Sequence, residues 1–203
     1  MGVKVVKRTN KVPEMTKTLK KLGKSQIKVG IFGDSGAELV KIARAHEYGV
    51  TIKPKKGKYL AIPNKVAKGR NPGDFKDLVF IPSKSGGLLV KKSKGKKTQN
   101  EIYFFLVKQV VIPQRSFIRA GFDKNIGDIT KKIVKLTPDV LISKIDPDTF
   151  ADMIGLEFAG LIQKELRGVK SPPNAPLTKQ NKGSSNPLID TGRMVGAIRH
   201  KVE

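Results

Sequence analysis

The apolar positions change period along the chain, and each change marks an element. Met15, Leu19 and Leu22 share a face at helical spacing, with Pro13 in the first turn and Gly23 at the end. Ile27, Val29 and Ile31 alternate as a strand. The turn GIFGDSG leads into a second helix. There Ser35 and Glu38 have capping-box spacing, and Leu39, Ile42, Ala43 and His46 form the expected buried stripe. Gly49 ends this helix, and residues 50–53 start another strand. Residues 59–62, 78–81, 88–91 and 102–111 read as further strands, with turns expected at Gly86-Gly87 and over 91–97.

A longer helical pattern follows Pro113: Ile118, Phe122, Ile126, Ile129, Ile133 and Leu136, with Pro138 expected to interrupt it. Asp146 and Pro147 form an N-cap and first-turn pair. The helix they open carries Phe150, Ile154, Phe158, Leu161 and Glu165 on one line, widened by Ile162 and Leu166, and stops at Gly168. Gly155 and Gly160 inside it each cost about 1 kcal/mol relative to Ala, and predict close approach of a neighbouring backbone. Asp190 or Thr191 is expected to cap a short turn, and residues 197–202 to form a last strand. No internal repeat is visible.

The expected fold is α+β, with an antiparallel sheet of four to six strands packed against one or two long helices. It reads as a single domain over 1–203. Within it lie a basic N-terminal arm and helix over 1–24, a lysine-rich insertion over 64–99, and a Pro/Asn/Gly-rich segment over 171–194. That last segment has four prolines, two glycines and three asparagines and little apolar surface, so it cannot fold as a helix or sheet by itself. A structureless loop of this length inside a domain is either a floppy linker or functional. The functional reading is a segment ordered against another copy of the chain or another protein.

Composition sharpens this picture. The 203 residues contain 41 Lys+Arg against 17 Asp+Glu, a net charge of +24. Such self-repulsion calls for an acidic partner: nucleic acid, an anionic membrane, or acidic protein neighbours. Cysteine is absent, which excludes disulfides and thiolate metal sites. No apolar run approaches the roughly 20 residues of a membrane span. The opening MGVKVVKRTNK lacks the apolar region of a signal peptide, so synthesis inside a cell is expected.

Candidate chemistry is sparse. GIFGDSG lies between a strand and a helix, as a phosphate loop would, but its spacing is neither GxGxxG nor GxxxxGK[ST], and a tight turn explains it. His46 and His200 are the two histidines, and no carboxylate cluster accompanies them. No nucleophile elbow, zinc helix or paired-carboxylate pattern occurs, so no enzymatic activity, cofactor or metal is expected. The lysine clusters could track a phosphate backbone or an acidic surface. The candidate contacts are Lys55, Lys56, Lys58, Lys91, Lys92, Lys94, Lys96 and Lys97. A basic nucleic-acid-binding protein is therefore the second reading, although no RNA- or DNA-binding motif is present.

Four stretches in order complete the sequence reading: ARAHEYGV (43–50), IPQRSFIRAGFD (112–123), FADMIGLEFAGLIQKEL (150–166) and PPNAPLTKQNKGSSNPLIDTGRM (172–194). Together they resemble the neck, tail-completion or head–tail joining proteins of tailed bacteriophages, also called virion morphogenesis proteins. The resemblance covers most of the chain outside 64–99. It implies a non-enzymatic α+β subunit of a homo-oligomeric ring, a hexamer or dodecamer, in the virion neck at the top of the tail. Assembly would take place in the bacterial host cytoplasm. The implied partners are further copies, portal-bound head connector proteins, a tail terminator or tail tube protein, and the genomic DNA passing through the lumen. It also implies that Pro113, Arg115 and Phe117 position the long helix against the sheet. Asn174, Pro176, Leu177, Asp190, Thr191, Gly192 and Arg193 would reach a neighbour. The insertion over 64–99 departs from the shorter family members.

Overall fold

A computed structural model describes residues 10–84, 86–91, 101–182 and 184–203. The described elements are α1 (Val12–Lys24), β1 (Ile27–Ile31), α2 (Ala37–Tyr48), β2 (Val50–Ile52), β3 (Leu60–Pro63), β4 (Leu78–Ser83), β5 (Gly86–Lys91) and β6 (Glu101–Val107). They continue with β7 (Val110–Ile112), α3 (Phe117–Leu141), α4 (Pro147–Gly168), α5 (Pro176–Lys182), α6 (Arg193–Gly196) and β8 (Ile198–Val202). The fold is α+β, and every strand pairing is antiparallel. The strands are divided among three sheets, β1-β8, β2-β7 and β3-β6-β5-β4, in place of the single sheet expected. The chain separates into two compact units, where the sequence pattern reads as one domain. The basic arm over residues 1–9 and the expected turn over 92–97 lie outside the described residues.

The first unit is Met1–Val40, Phe117–Gly168 and Gly192–Glu203. Its core is the apolar stripe of α4, where Phe150, Ala151, Ile154, Gly155, Phe158, Ala159, Ile162 and Leu166 are buried. Full burial of an aliphatic or aromatic side chain contributes about 1.5–3 kcal/mol, so this stripe carries much of the unit's stability. One side of α4 meets β1 and β8, and another meets α3. Gly121 of α3 faces Ile162 closely, and Phe122 stacks on Phe158 with ring centroids 5.3 Å apart. Asp146 caps α4 as expected, its Oδ2 accepting from the backbone N–H of Asp148 and Thr149 at 3.0 Å each.

The two helix glycines behave differently. A Cβ on Gly155 would stand 2.5 Å from His200 Cδ2, so this glycine admits the β8 histidine against the helix. Gly160 has nothing within 4 Å of that position and admits no neighbour. Pro138 does not interrupt the preceding helix. It sits inside α3, whose last turn runs on to Leu141. So near the end, a proline forfeits a single backbone bond, to the Val134 carbonyl, and the remaining turn is kept. Ser35 is not the cap of α2 either. It closes a 3-10 turn over Gly33–Ser35, and Gly36, at φ +99, stands before the helix. In the same way α6 is preceded by Gly192 in the left-handed region, with no side-chain cap from Asp190 or Thr191.

The second unit is Lys41–Ser116 and Val169–Thr191. Half of its four-stranded sheet comes from the lysine-rich insertion, since β4 and β5 lie within 64–99 and β3 and β6 flank it. Val90 and Phe104 are its most buried side chains. The β5–β6 register slips at Leu89/Val90, skipping Tyr103, whose carbonyl accepts from Asn64 N–H at 2.8 Å. Gly86 and Gly87 are strand residues, not the turn, because Ser83 already pairs with Gly86. A Cβ on Gly86 would lie 1.9 Å from Leu106 O, and one on Gly87 would lie 2.3 Å from Phe80 Cε2. Close packing, not turning, requires both glycines. In the α2 stripe Ala43 is buried but Ile42 is exposed, while Glu47 is buried in its place.

Candidate functional site

Residues 43–50 and 112–116, from two of the quoted motifs, lie back to back in the second unit. Gly49 ends α2 at φ +73, and a Cβ there would stand 3.0 Å from Gln114 N. That glycine lets the HEYG turn lie directly against the Gln114–Arg115 backbone. Arg115 N–H donates to His46 O at 2.7 Å, and Ser116 Oγ donates to Glu47 O at 3.2 Å.

The Arg115 side chain then reaches the third motif. It is 5% exposed. Its Nε donates to Pro172 O at 2.7 Å and its Nη2 to Pro173 O at 3.2 Å. Its Nη1 lies 3.3 Å from His46 Nδ1, which must be unprotonated to accept. The planar guanidinium thus ties the end of α2 to the first turn of the proline-rich segment. Burial pushes Arg115 below its usual pKa, and it remains cationic at neutral pH.

The segment is fastened at other points too. Asn174 Nδ2 donates to Asn186 O at 3.4 Å. Asn186 Oδ1 accepts from Leu188 and Ile189 N–H at 2.9 and 3.1 Å, the turn that an Asn-Pro pair favours. Lys182 Nζ donates to Asn186 O and Pro187 O at 3.4 and 3.2 Å. Asn181 Nδ2 donates to Pro63 O at 2.8 Å, beside the end of β3, while Lys68 Nζ donates to Asn181 O at 3.3 Å. Leu188 is buried. With these tethers the segment carries a seven-residue helix, α5, that its composition does not predict. Backbone polar groups are satisfied by Arg115 and Lys68 from elsewhere in the unit and by the segment's own Asn174, Lys182 and Asn186, which offsets the missing apolar burial.

The electrostatics follow from that packing. His46 is driven down to a pKa of about 4, first by burial and then by the positive Arg115 and Lys182. Burial also lowers Lys182, opposed by Asp190 and reinforced by Arg115. The cations are engaged with carbonyl oxygens. Chemically the arrangement is a fastening. Among the described residues no group of three or more His, Cys, Asp and Glu side chains is placed to hold a metal ion. No family model, no curated protein and no solved structure matches this chain.

Of the residues singled out in the sequence, the second unit holds Pro113, Arg115, Asn174, Pro176, Leu177, Asp190 and Thr191. Pro176 opens α5, Leu177 is half-buried, and Asp190 and Thr191 are exposed. Phe117, Gly192 and Arg193 belong to the first unit, with Phe117 fully buried at the start of α3 and Arg193 exposed. Arg115 was expected to orient the long helix, yet its side-chain bonds run to His46 and the loop. Lys55, Lys56 and Lys58 are exposed between β2 and β3, and Lys91 is paired with Asp77 at 2.9 Å. Lys92, Lys94, Lys96 and Lys97 lie outside the described residues.

Sequence reasoning missed Asn181, Lys182 and Asn186. The Asn186-Pro187 pair was the available signal for a local turn. For Asn181, whose partner is the distant Pro63 carbonyl, no sequence pattern exists, and Lys182 bonds carbonyls four and five residues on that carry no side-chain identity. The GIFGDSG turn holds a carboxylate where a phosphate would need donors. Asp34 pairs with Arg199 and, at 3.0 Å, with Lys201, which hold it below the usual carboxylate range.

Proposed function

We propose that this chain is a non-enzymatic structural subunit of a tailed-bacteriophage neck or tail-completion ring, joining the DNA-filled head to the tail. One observation carries the reading: three of the four stretches that bear the resemblance meet at the Arg115 guanidinium. Residues 43–50, 112–123 and 172–194 are far apart in sequence, and that side chain bonds to His46, Pro172 and Pro173. The fastening presents an ordered loop whose exposed positions include Pro176, Lys179, Asp190 and Thr191. On this reading those positions touch the next copy or a connector, and head-to-tail contacts close the ring. The net charge of +24 suits acidic neighbours and the DNA in the lumen.

The test uses charge changes on that exposed surface away from the tethers, Lys179→Glu with Thr191→Lys, in the infecting phage. The expected outcome is DNA-filled heads without tails, and wild-type chain at the neck in images of intact particles. Normal tailed particles from the double variant, or absence of the chain from purified particles, overturns the reading.

A second reading, a nucleic-acid-binding protein, is favoured by the exposed Lys55, Lys56 and Lys58 together with the net charge. It predicts tight DNA binding by the monomer, with log affinity falling steeply against log salt. A shallow slope and weak affinity would leave the ring reading standing.

A further inference from the structure

β4 is the outer strand of the four-stranded sheet, and among the described residues nothing pairs with its outer side. Five of its six residues are exposed. Val79, Phe80 and Ile81 are 37, 47 and 36% exposed, and consecutive strand residues point to opposite faces. Both faces of this edge are therefore apolar and open to solvent. The edge is also held in place. The Phe80 ring lies over Gly87, where a Cβ would come within 2.3 Å of it, and stacks on Tyr59 with centroids 6.4 Å apart.

Charge decides what can cover it. Exposed Lys76 and Lys84 bracket the strand, while Asp77 is engaged by Lys91. A second copy pairing antiparallel about Phe80 would set Lys76 of one chain opposite Lys84 of the other at both ends. That repulsion adds to the mutual repulsion of two chains of +24. A strand with carboxylates at its ends meets the opposite situation. We propose that the outer edge of β4 receives an extended acidic segment of another protein, which adds a fifth strand to this sheet. Backbone pairing would supply affinity, and glutamate or aspartate opposite Lys76 and Lys84 would supply selection. Pro82 has no N–H to offer, so backbone pairing is densest over Leu78–Ile81, and beyond it the residue opposite Lys84 acts through charge. The inference does not depend on the phage reading, and it concerns the stretch in which this chain departs from that family.

The competing explanation is that the lysines only guard a bare edge against aggregation. Fluorescent peptides of about nine residues, within the usual strand length and enough to reach from Lys76 to Lys84, separate the two. One alternates glutamate and valine, one alternates lysine and valine, and one is the glutamate peptide with a central proline. In about 0.15 M salt the glutamate peptide should bind the full chain and slow amide exchange over Leu78–Ile81. The proline peptide should bind about tenfold more weakly, because it cannot pair through its backbone. The exposed double variant Lys76→Glu/Lys84→Glu should lose about tenfold for the glutamate peptide and gain the lysine peptide. Equal binding of the proline peptide, exchange unchanged at β4, or indifference to the double variant overturns the inference. So does a dimer of the wild-type chain that Phe80→Asp abolishes.

Discussion

Arg115 Nε donates to the carbonyl oxygen of Pro172 at 2.7 Å, across 57 positions of sequence. This bond fixes the first turn of the proline-rich segment within the second unit, and the other two Arg115 contacts fix its orientation. Arg115→Ala takes the shared donor away from two carbonyl groups and the His46 nitrogen at a part-buried site. The expected loss is about 3 kcal/mol, since hydrogen bonds to a charged group contribute roughly 1.5–3 kcal/mol and their abandoned partners add a penalty. Arg115→Lys should recover less than half, because an ammonium cannot span the same fork of acceptors. Urea unfolding measures the loss, and proteolysis within 171–191 should accelerate more than elsewhere.

His46 gives the second unit an acid-sensitive stability. Its pKa is 6.5 in the unfolded chain and about 4 in the folded one. The unfolded state therefore binds the extra proton first as pH falls. The stabilisation is complete above about 6.5 and is lost progressively down to about 4. The full shift would be worth about 3 kcal/mol, and remaining solvent access reduces this to about 2 kcal/mol. His46→Asn keeps an acceptor toward Arg115 and cannot titrate. It should flatten the dependence of unfolding free energy on pH in this window.

Two glycines of one helix should respond oppositely to the same substitution. Gly155→Ala drives a methyl group into His200, whose Cβ, Cγ and Cδ2 all lie within 3.0 Å of the new atom. A cost of about 1–3 kcal/mol is expected, as for other overpacked sites. Gly160→Ala meets nothing within 4 Å and should stabilise by about 0.5–1 kcal/mol through helix propensity. Thermal unfolding of the two variants side by side reads the contrast.

Removing the α4 cap tests the local origin of that helix. Asp146→Ala releases two backbone N–H groups and should lower the melting temperature, while Asp146→Asn should lower it less, since its side chain still accepts. Because Asp146 is held below its usual pKa by these bonds, its contribution is present at neutral pH. It is lost as pH falls through the carboxylate range.

Local chemistry made much of this molecule legible in the sequence. The 3.6-residue stripe of α4, the alternation in β1 and the Asp146-Pro147 start depend on neighbours a few positions away, so periodicity and capping reveal them. The sequence also marked Arg115, His46 and the proline-rich segment as notable, each on its own. Only the tertiary structure decided that Arg115 joins the other two, that the strands divide into three sheets, and that Gly155 admits His200 while Gly160 admits nothing. The physical reason is common to all of these. A guanidinium finds backbone carbonyls, and a glycine finds a close neighbour, through space. A carbonyl acceptor carries no side-chain identity by which a sequence could announce it.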